Sequence, residues 1–324
     1  MAICKILILA LLLISVAGCD KIDKIAQGVP TPPPETVTPV KRLEHITLKP
    51  NTELEKEIGT IAEDAKGTVG AAIVVVETGD SAAFNANRNF AMQSVYKLPI
   101  AMAVMQQIDA EKLALDEVVG VTKDDMVRPG QRSPIRDANP NGTTMTVREL
   151  IRLAISESDG TASDVLMRIA GGAPQIQAYL AATGVGKDMA VKNTEKEFTT
   201  DWQIQYQNFA TPNAAIDLLR NLHEGNGISP TNREVLLRFM TESPTGPNRL
   251  KGLLPNGTPV AHKTGTSGSR NGIQAATNDI GIITLPNGHH MLIAIFVGDS
   301  KADEKTRESV IARIAKAAWD NFAI

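Results

Sequence analysis

The sequence predicts an α+β domain in which an antiparallel sheet is flanked by terminal helices and joined to an all-helical lobe. Three observations predict it. Runs rich in β-branched residues concentrate near the two ends of the globular region, helical patterns fill its middle, and the chain closes on one long amphipathic segment.

Taken in order, Thr52 and Glu55 read as a capping box ahead of Leu54, Ile58, Ile61 and Ala65, with Gly67 as the stop. Val69 to Glu77 follows as a strand, and Ser81 to Ala91 continues more weakly as its partner. The apolar stretch KLPIAMAVMQQI from Lys97 then opens the helical middle. Thr146 and Glu149 form a second capping box before Leu150, Ile151, Leu153, Ala154 and Ile155, and Thr161 to Ala170 is a helix closed by Gly171-Gly172. Thr211-Pro212 opens another helix carrying Ile216, Leu218, Leu219 and Leu222, and Thr231 to Glu242 makes the next. Strands return at Pro259–His262, Asp279–Leu285 and His290–Val297, with Pro286-Asn287-Gly288 as a hairpin signal between the last two. The closing helix, Asp303 to Phe322, lines up Val310, Ile311, Ile314, Ala318 and Trp319. The globular domain is therefore 51–324, with an α/β lobe at about 51–90 and 245–324 and a helical lobe at about 91–244. A cleft between two such lobes is the natural place for a site.

Composition narrows the chemistry. Hydrophobic residues are 43% of the 324, enough for a sizeable core, and aromatics are only 4%, so aliphatic side chains must fill it. Lys and Arg number 33 against 36 Asp and Glu, a net charge of -3 that argues against a nucleic-acid partner. Cys4 and Cys19 are the only cysteines, which leaves no disulfide framework and no catalytic thiol downstream. The five His show no metal-binding spacing, so no metal is expected. The domain is expected to be monomeric.

The N-terminus reads as an export signal. Lys5 precedes an apolar run from Ile6 to Ala17 broken only by Ser15, too short to span a bilayer as a helix. It ends in Val16-Ala17-Gly18-Cys19, which resembles the lipobox of bacterial lipoproteins. That resemblance implies a signal peptide at 1–18, lipidation of Cys19, and attachment to membrane lipid at the periplasmic face; the alternative is an ordinary secretory signal cut near Ala17 or Gly18, with Cys19 incidental and the protein soluble in the periplasm. Residues 19–50 then serve as anchor and linker, and prolines 30, 32, 33, 34 and 39 make the segment a semi-rigid spacer.

Three short motifs fall in the expected cleft. Ser94-Val95-Tyr96-Lys97 puts a hydroxyl and an amine three residues apart, on one face of a helical turn, where the amine can activate the hydroxyl. Ser158-Asp159-Gly160 lies in a short loop between two helices. Lys263-Thr264-Gly265 ends the strand PVAHK, where a glycine permits close backbone approach and suits a ligand paired along the strand edge. Each motif has a bland structural reading of its own: a helix cap, a helix stop, a turn.

Together and in this order, the motifs resemble the penicillin-recognising serine enzymes, over residues from about Asn51 to Ile324. Glu195 in NTEKEF stands where class A β-lactamases carry a loop glutamate, with Glu197 as second candidate. The segments QIQYQNF, TGPNRLKGLLP and HKTGTSG look most like the PER-like subgroup of class A, which implies activity on cephalosporins and a substrate-carboxylate role for Arg249. The resemblance further implies β-lactam substrates, acylation of Ser94, and an oxyanion hole from the N–H groups of Ser94 and Thr266. Lys97 and Glu195 become the bases and Ser158 the proton relay to the leaving nitrogen. Lys263, Thr264 and Gly265 line the substrate beside Thr266. Some positions depart from the pattern: Gly160 replaces an expected Asn, Thr199 replaces another, and Asn193 and Asn208 stand in for an Arg–Asp pair. A D-Ala-D-Ala carboxypeptidase or transpeptidase, or a non-catalytic cell-wall-binding lipoprotein, is the alternative.

Overall fold

Alternating side chains send apolar groups to both faces of one sheet. In this computed structural model, which describes residues 45–323, the sheet is built from β1 (Thr68–Val75), β2 (Asp80–Phe84), β3 (Val260–Thr266), β4 (Ile273–Thr284) and β5 (His290–Ser300). The order is β2-β1-β5-β4-β3, and these pairings are antiparallel. The two-residue strand Lys49–Pro50 pairs parallel to β2, and Ser269–Arg270 extends the β4 edge beyond β3. Ala71, Ile73, Val75, Ile293, Ile295 and Val297 face one core with the terminal helices α1 (Thr52–Ala62) and α8 (Glu304–Phe322). Ala72, Val74, Leu292, Ala294 and Phe296 face the other core, shared with the helical lobe.

That lobe is organised round α2 (Lys97–Asp109), whose residues from Lys97 to Met105 are all buried. A helix apolar on every side must be wrapped by others. The wrapping helices are α3 (Val147–Ile155), α4 (Gly160–Ile169), α5 (Ala173–Ala182), α6 (Pro212–His223) and α7 (Pro230–Thr241). The capping box at Thr146 and Glu149 is present in both directions, Asp159 caps α4 at Ala162 N, and Gly171 and Gly172 turn the chain at φ +98° and +83°. Helix α5 had no clear periodic signal in the sequence.

Several boundaries move. Asn51, not Thr52, caps α1, because its Oδ1 accepts Leu54 N–H at 3.0 Å; Glu55 reaches across instead to accept Ala83 N–H. The second strand stops at Phe84, where Asn85 enters the left-handed region at φ +49° and donates to Val69 O. Phe90–Ala91 then pairs with Phe209–Ala210 in a separate small sheet. β3, β4 and β5 all extend beyond their predicted lengths, since buried Thr277 and Asn278 continue the ladder despite their polarity. Cys4, Cys19 and the proline-rich segment lie outside the described residues. Among the described residues, no helix is long and apolar enough to cross a membrane.

Candidate active site

The turn Gln93–Tyr96 delivers Ser94 to a cleft of about 740 Å³ between the sheet edge and the helical lobe. Gln93 takes φ +47°, a costly conformation for a residue with a side chain, held by the 2.7 Å bond from its Nε2 to Gln205 Oε1. The turn runs straight into α2, so Lys97 sits three residues on and donates to Ser94 Oγ at 3.0 Å. Lys97 Nζ also donates to Ser158 O at 2.8 Å and stands 3.2 Å from Glu195 Oε2. One buried ammonium thus joins three of the sequence-predicted residues.

Ser158 enters from the α3–α4 loop at φ +57°. Its Oγ accepts from Lys263 Nζ at 3.0 Å, while Lys263 also donates to Thr264 O at 3.0 Å. Lys263 is fully buried, and desolvation, with Lys97 as a like charge nearby, pushes its ammonium well below the usual lysine range. Thr264 and Thr266 line the cleft from β3, an edge strand paired with β4. A Cβ at Gly265 would clash with Met92 O, so this glycine lets the segment leading into the Ser94 turn approach the strand closely.

Glu195 arrives on the loop before α6. Its Oε2 accepts from Tyr96 OH at 2.8 Å as well as lying beside Lys97. The loop is pinned by Asp164 on α4, whose two oxygens accept the N–H groups of Glu195 and Lys196 at 2.7 and 3.1 Å. Burial, reinforced by the Glu195 charge, outweighs those two bonds and pushes the Asp164 carboxyl up to about 7. Glu197 is not part of the cleft; it caps its own loop through Thr194 N–H and Oγ1. Thr199 lines the cleft, with its hydroxyl donated to Lys196 O. Asn193 and Asn208 do meet, as a neutral pair bonded through backbone groups.

Arg249 borders the cleft but is committed elsewhere. Its Nε donates to Glu308 at 3.0 Å, Nη1 to Gly265 O and Asn278 O, and Nη2 to Thr266 Oγ1 at 2.8 Å.

Tyr96 and Asp164 were missed in the sequence. The available signal was a carboxylate at Asp164, four residues beyond Gly160, directly before the apolar run Val165-Leu166-Met167. Among the described residues, Glu77, His223 and His290 have ligand-type atoms within 4.8 Å of one another, so three of the groups a metal could use are less scattered than the sequence suggested. They lie apart from the Ser94 cleft, and both Glu77 oxygens already accept from His290, at N and Nδ1.

The described geometry has relatives. A family model described as the β-lactamase enzyme family matches residues 53–322. β-Lactamase VEB-1 of Pseudomonas aeruginosa is 40% identical over 271 residues, covering 83% of this chain and 90% of that protein. Extended-spectrum β-lactamase PER-1, also of Pseudomonas aeruginosa, is 38% identical over 266 residues, covering 82% and 86%. The crystal structure of a β-lactamase from Chitinophaga pinensis superposes with a TM-score of 0.81 at 42% identity, covering 83% of this chain and 99% of that one.

Proposed function

The chain belongs to the β-lactamase enzyme family and is a β-lactam hydrolase; we propose that its acyl intermediate forms on Ser94 and is released by water activated at Glu195. The observation that carries this reading is the position of Lys97 Nζ, which contacts Ser94 Oγ at 3.0 Å and Glu195 Oε2 at 3.2 Å. One buried amine thus links the nucleophile to the water-activating base, the adjacency that an activated serine needs.

Attack of Ser94 Oγ on the lactam carbonyl places negative charge on the carbonyl oxygen, and the N–H groups of Ser94 and Thr266 receive it. The Ser94 proton passes to Lys97 as a neutral amine or, through a water, to Glu195. Ser158, hydrogen-bonded to Lys263, passes a proton to the ring nitrogen as the C–N bond breaks. Lys263, held at Ser158 Oγ, tunes that hydroxyl electrostatically. Thr264 and Thr266 line the substrate along the β3 edge, with Arg249 orienting the Thr266 hydroxyl. In the second half-reaction, water adds to the acyl carbon while its proton passes to Glu195, and Ser94 leaves with a proton returned to it. Cephalosporins are among the substrates, a reading supported by similarity to the extended-spectrum relative. We extend the proposal to the N-terminus: Cys19 is the lipidated residue and holds the domain at the periplasmic membrane face through the proline-rich spacer. Cys19→Ala then moves activity from the membrane to the soluble fraction, and unchanged fractionation overturns the anchor.

The decisive experiment on the site is Glu195→Ala with nitrocefin and mass spectrometry. Wild type turns over, while the variant accumulates a β-lactam adduct on Ser94 and loses about 10²–10⁴-fold in turnover, the usual worth of a general base. Wild-type turnover in the variant removes Glu195 from the mechanism. A wild-type enzyme that itself stalls as a long-lived adduct points instead to a D-Ala-D-Ala carboxypeptidase.

A further inference from the structure

We infer that Tyr96, the residue immediately before the active-site lysine, is a positioning residue that sets the stance of Glu195 for deacylation; the inference rests on the reading of Glu195 as the water-activating base. The phenol is fully buried and projects from the turn that carries Ser94. Its hydroxyl donates to Glu195 Oε2 at 2.8 Å and accepts from Ser163 Oγ at 3.4 Å. Its ring meets Phe198, on the same loop as Glu195, edge-on at 5.5 Å between centroids. One side chain therefore links the nucleophile turn to the loop glutamate by a polar and an apolar contact.

The consequence lies in which oxygen is used. Lys97 and Tyr96 both approach Oε2. Two donors on one oxygen fix the carboxylate's rotation, leaving Oε1 as the oxygen offered to water. Held in this way, the group needs no reorientation before it accepts the proton from water. A phenol also remains a donor throughout the working pH range, and burial together with the Glu195 and Asp164 charges reinforces this by raising its proton affinity.

The charged groups round Glu195 come from every side: Lys97 on α2, Asp164 on α4, and Lys263 on β3. Arg132 lines the same cleft from the preceding loop and is paired with Glu157. None of them substitutes for the Tyr96 hydroxyl, because only Lys97 among them contacts Oε2 and it is already there. Removing the hydroxyl takes away one of the two donors on Oε2 and frees the carboxylate to rotate.

Tyr96→Phe keeps the ring and its packing, so the full-length enzyme remains folded, and thermal unfolding checks this. The expected result is a kcat about tenfold or more below wild type, with KM falling in parallel so that kcat/KM is nearly held, because acylation is spared. Acyl-Ser94 accumulates in the steady state. A merely structural role would leave the acylated fraction at wild type. Glu195→Ala is run beside it. If Glu195→Ala stalls while Tyr96→Phe shows wild-type kcat and acylated fraction, Tyr96 has no positioning role. If Glu195→Ala does not stall, the assignment of the base itself has failed and the inference falls with it.

Discussion

Asn208 grips Asn193 at both of its backbone groups: Oδ1 accepts the Asn193 N–H at 2.9 Å and Nδ2 donates to Asn193 O at 2.8 Å. The same Oδ1 accepts Lys192 N–H at 2.8 Å. The brace at the mouth of the Glu195 loop is therefore uncharged, and it is fully buried on the Asn208 side. An amide does what neither a carboxylate nor a cation could do alone, since it supplies donor and acceptor together.

Asn208→Asp tests this brace. The carboxylate keeps the two N–H bonds but loses the donor to Asn193 O and buries a charge with no cation in place. It is expected to destabilise the fold by about 1–3 kcal/mol, the cost of a buried group left unsatisfied. Adding Asn193→Arg to the same chain should recover part of that loss, read as a coupling energy in a double-mutant cycle of denaturant unfolding. Additive effects of the two changes would mean that the side chains do not meet once charged.

Much of this site was legible because its chemistry is local. Ser94 and Lys97 are three residues apart on one turn, and that spacing alone brings the amine to the hydroxyl. The capping box at Thr146 is likewise contained in four residues. Legibility ended where a partner comes from far along the chain. Gly265 reads correctly as a close-approach glycine, but only the fold shows that Met92 is the approaching backbone. Asn278 looks like a strand end, yet its amide donates to Ala91 O and Met92 O, so the strand passes through it. Tyr96 and Asp164 acquire their chemistry from a loop about 30 to 100 residues away. No pattern of period 2 or 3.6 encodes such a meeting.

Arg249 is expected to behave first as a structural cation. It forms a buried pair with Glu308 and bonds two backbone carbonyls, so Arg249→Ala leaves the Glu308 carboxylate without its partner. The expected cost is about 3–5 kcal/mol in denaturant unfolding, together with a raised KM as Thr266 loses its neighbour. Unchanged stability with a KM effect confined to carboxylate-bearing lactams would show a free substrate ligand instead of a brace.

Asp164 predicts a pH dependence with a definite sign. Burial raises its folded value from 3.8 to about 7, so the native state holds more protons than the unfolded chain between those values. Its contribution is fully present below pH 3.8 and is lost as pH rises towards 7, to the extent of about 4 kcal/mol for a shift of that size. Asp164→Asn cannot titrate, so the difference in unfolding free energy between wild type and variant should change across this window. The readout is the slope, because Asn also loses one of the two loop bonds and shifts the whole curve. Parallel curves from pH 4 to 7 would show that Asp164 is ionised throughout, held by the N–H groups of Glu195 and Lys196.

Gly160 ties the unusual second motif to the loop glutamate. A Cβ at this position would lie 2.8 Å from Glu195 Cγ, 3.2 Å from Val127 Cγ1 and 3.3 Å from Arg132 O. Gly160 opens α4 without a positive φ, and Asp159 caps that helix independently, so alanine suits the backbone and gains up to about 1 kcal/mol of helix preference. The strain falls on the Glu195 side chain, the softest of the three neighbours. It must swing away, and Oε2 then leaves its contacts with Lys97 and Tyr96. Gly160→Ala should therefore remain folded and acylate normally, yet release product about tenfold more slowly or worse, within the range a positioned base contributes. Rapid-quench mass spectrometry on Ser94 separates the two half-reactions. Deacylation at the wild-type rate would mean that Glu195 does not need the space beside Gly160, and that the missing side chain in this motif is unrelated to the base.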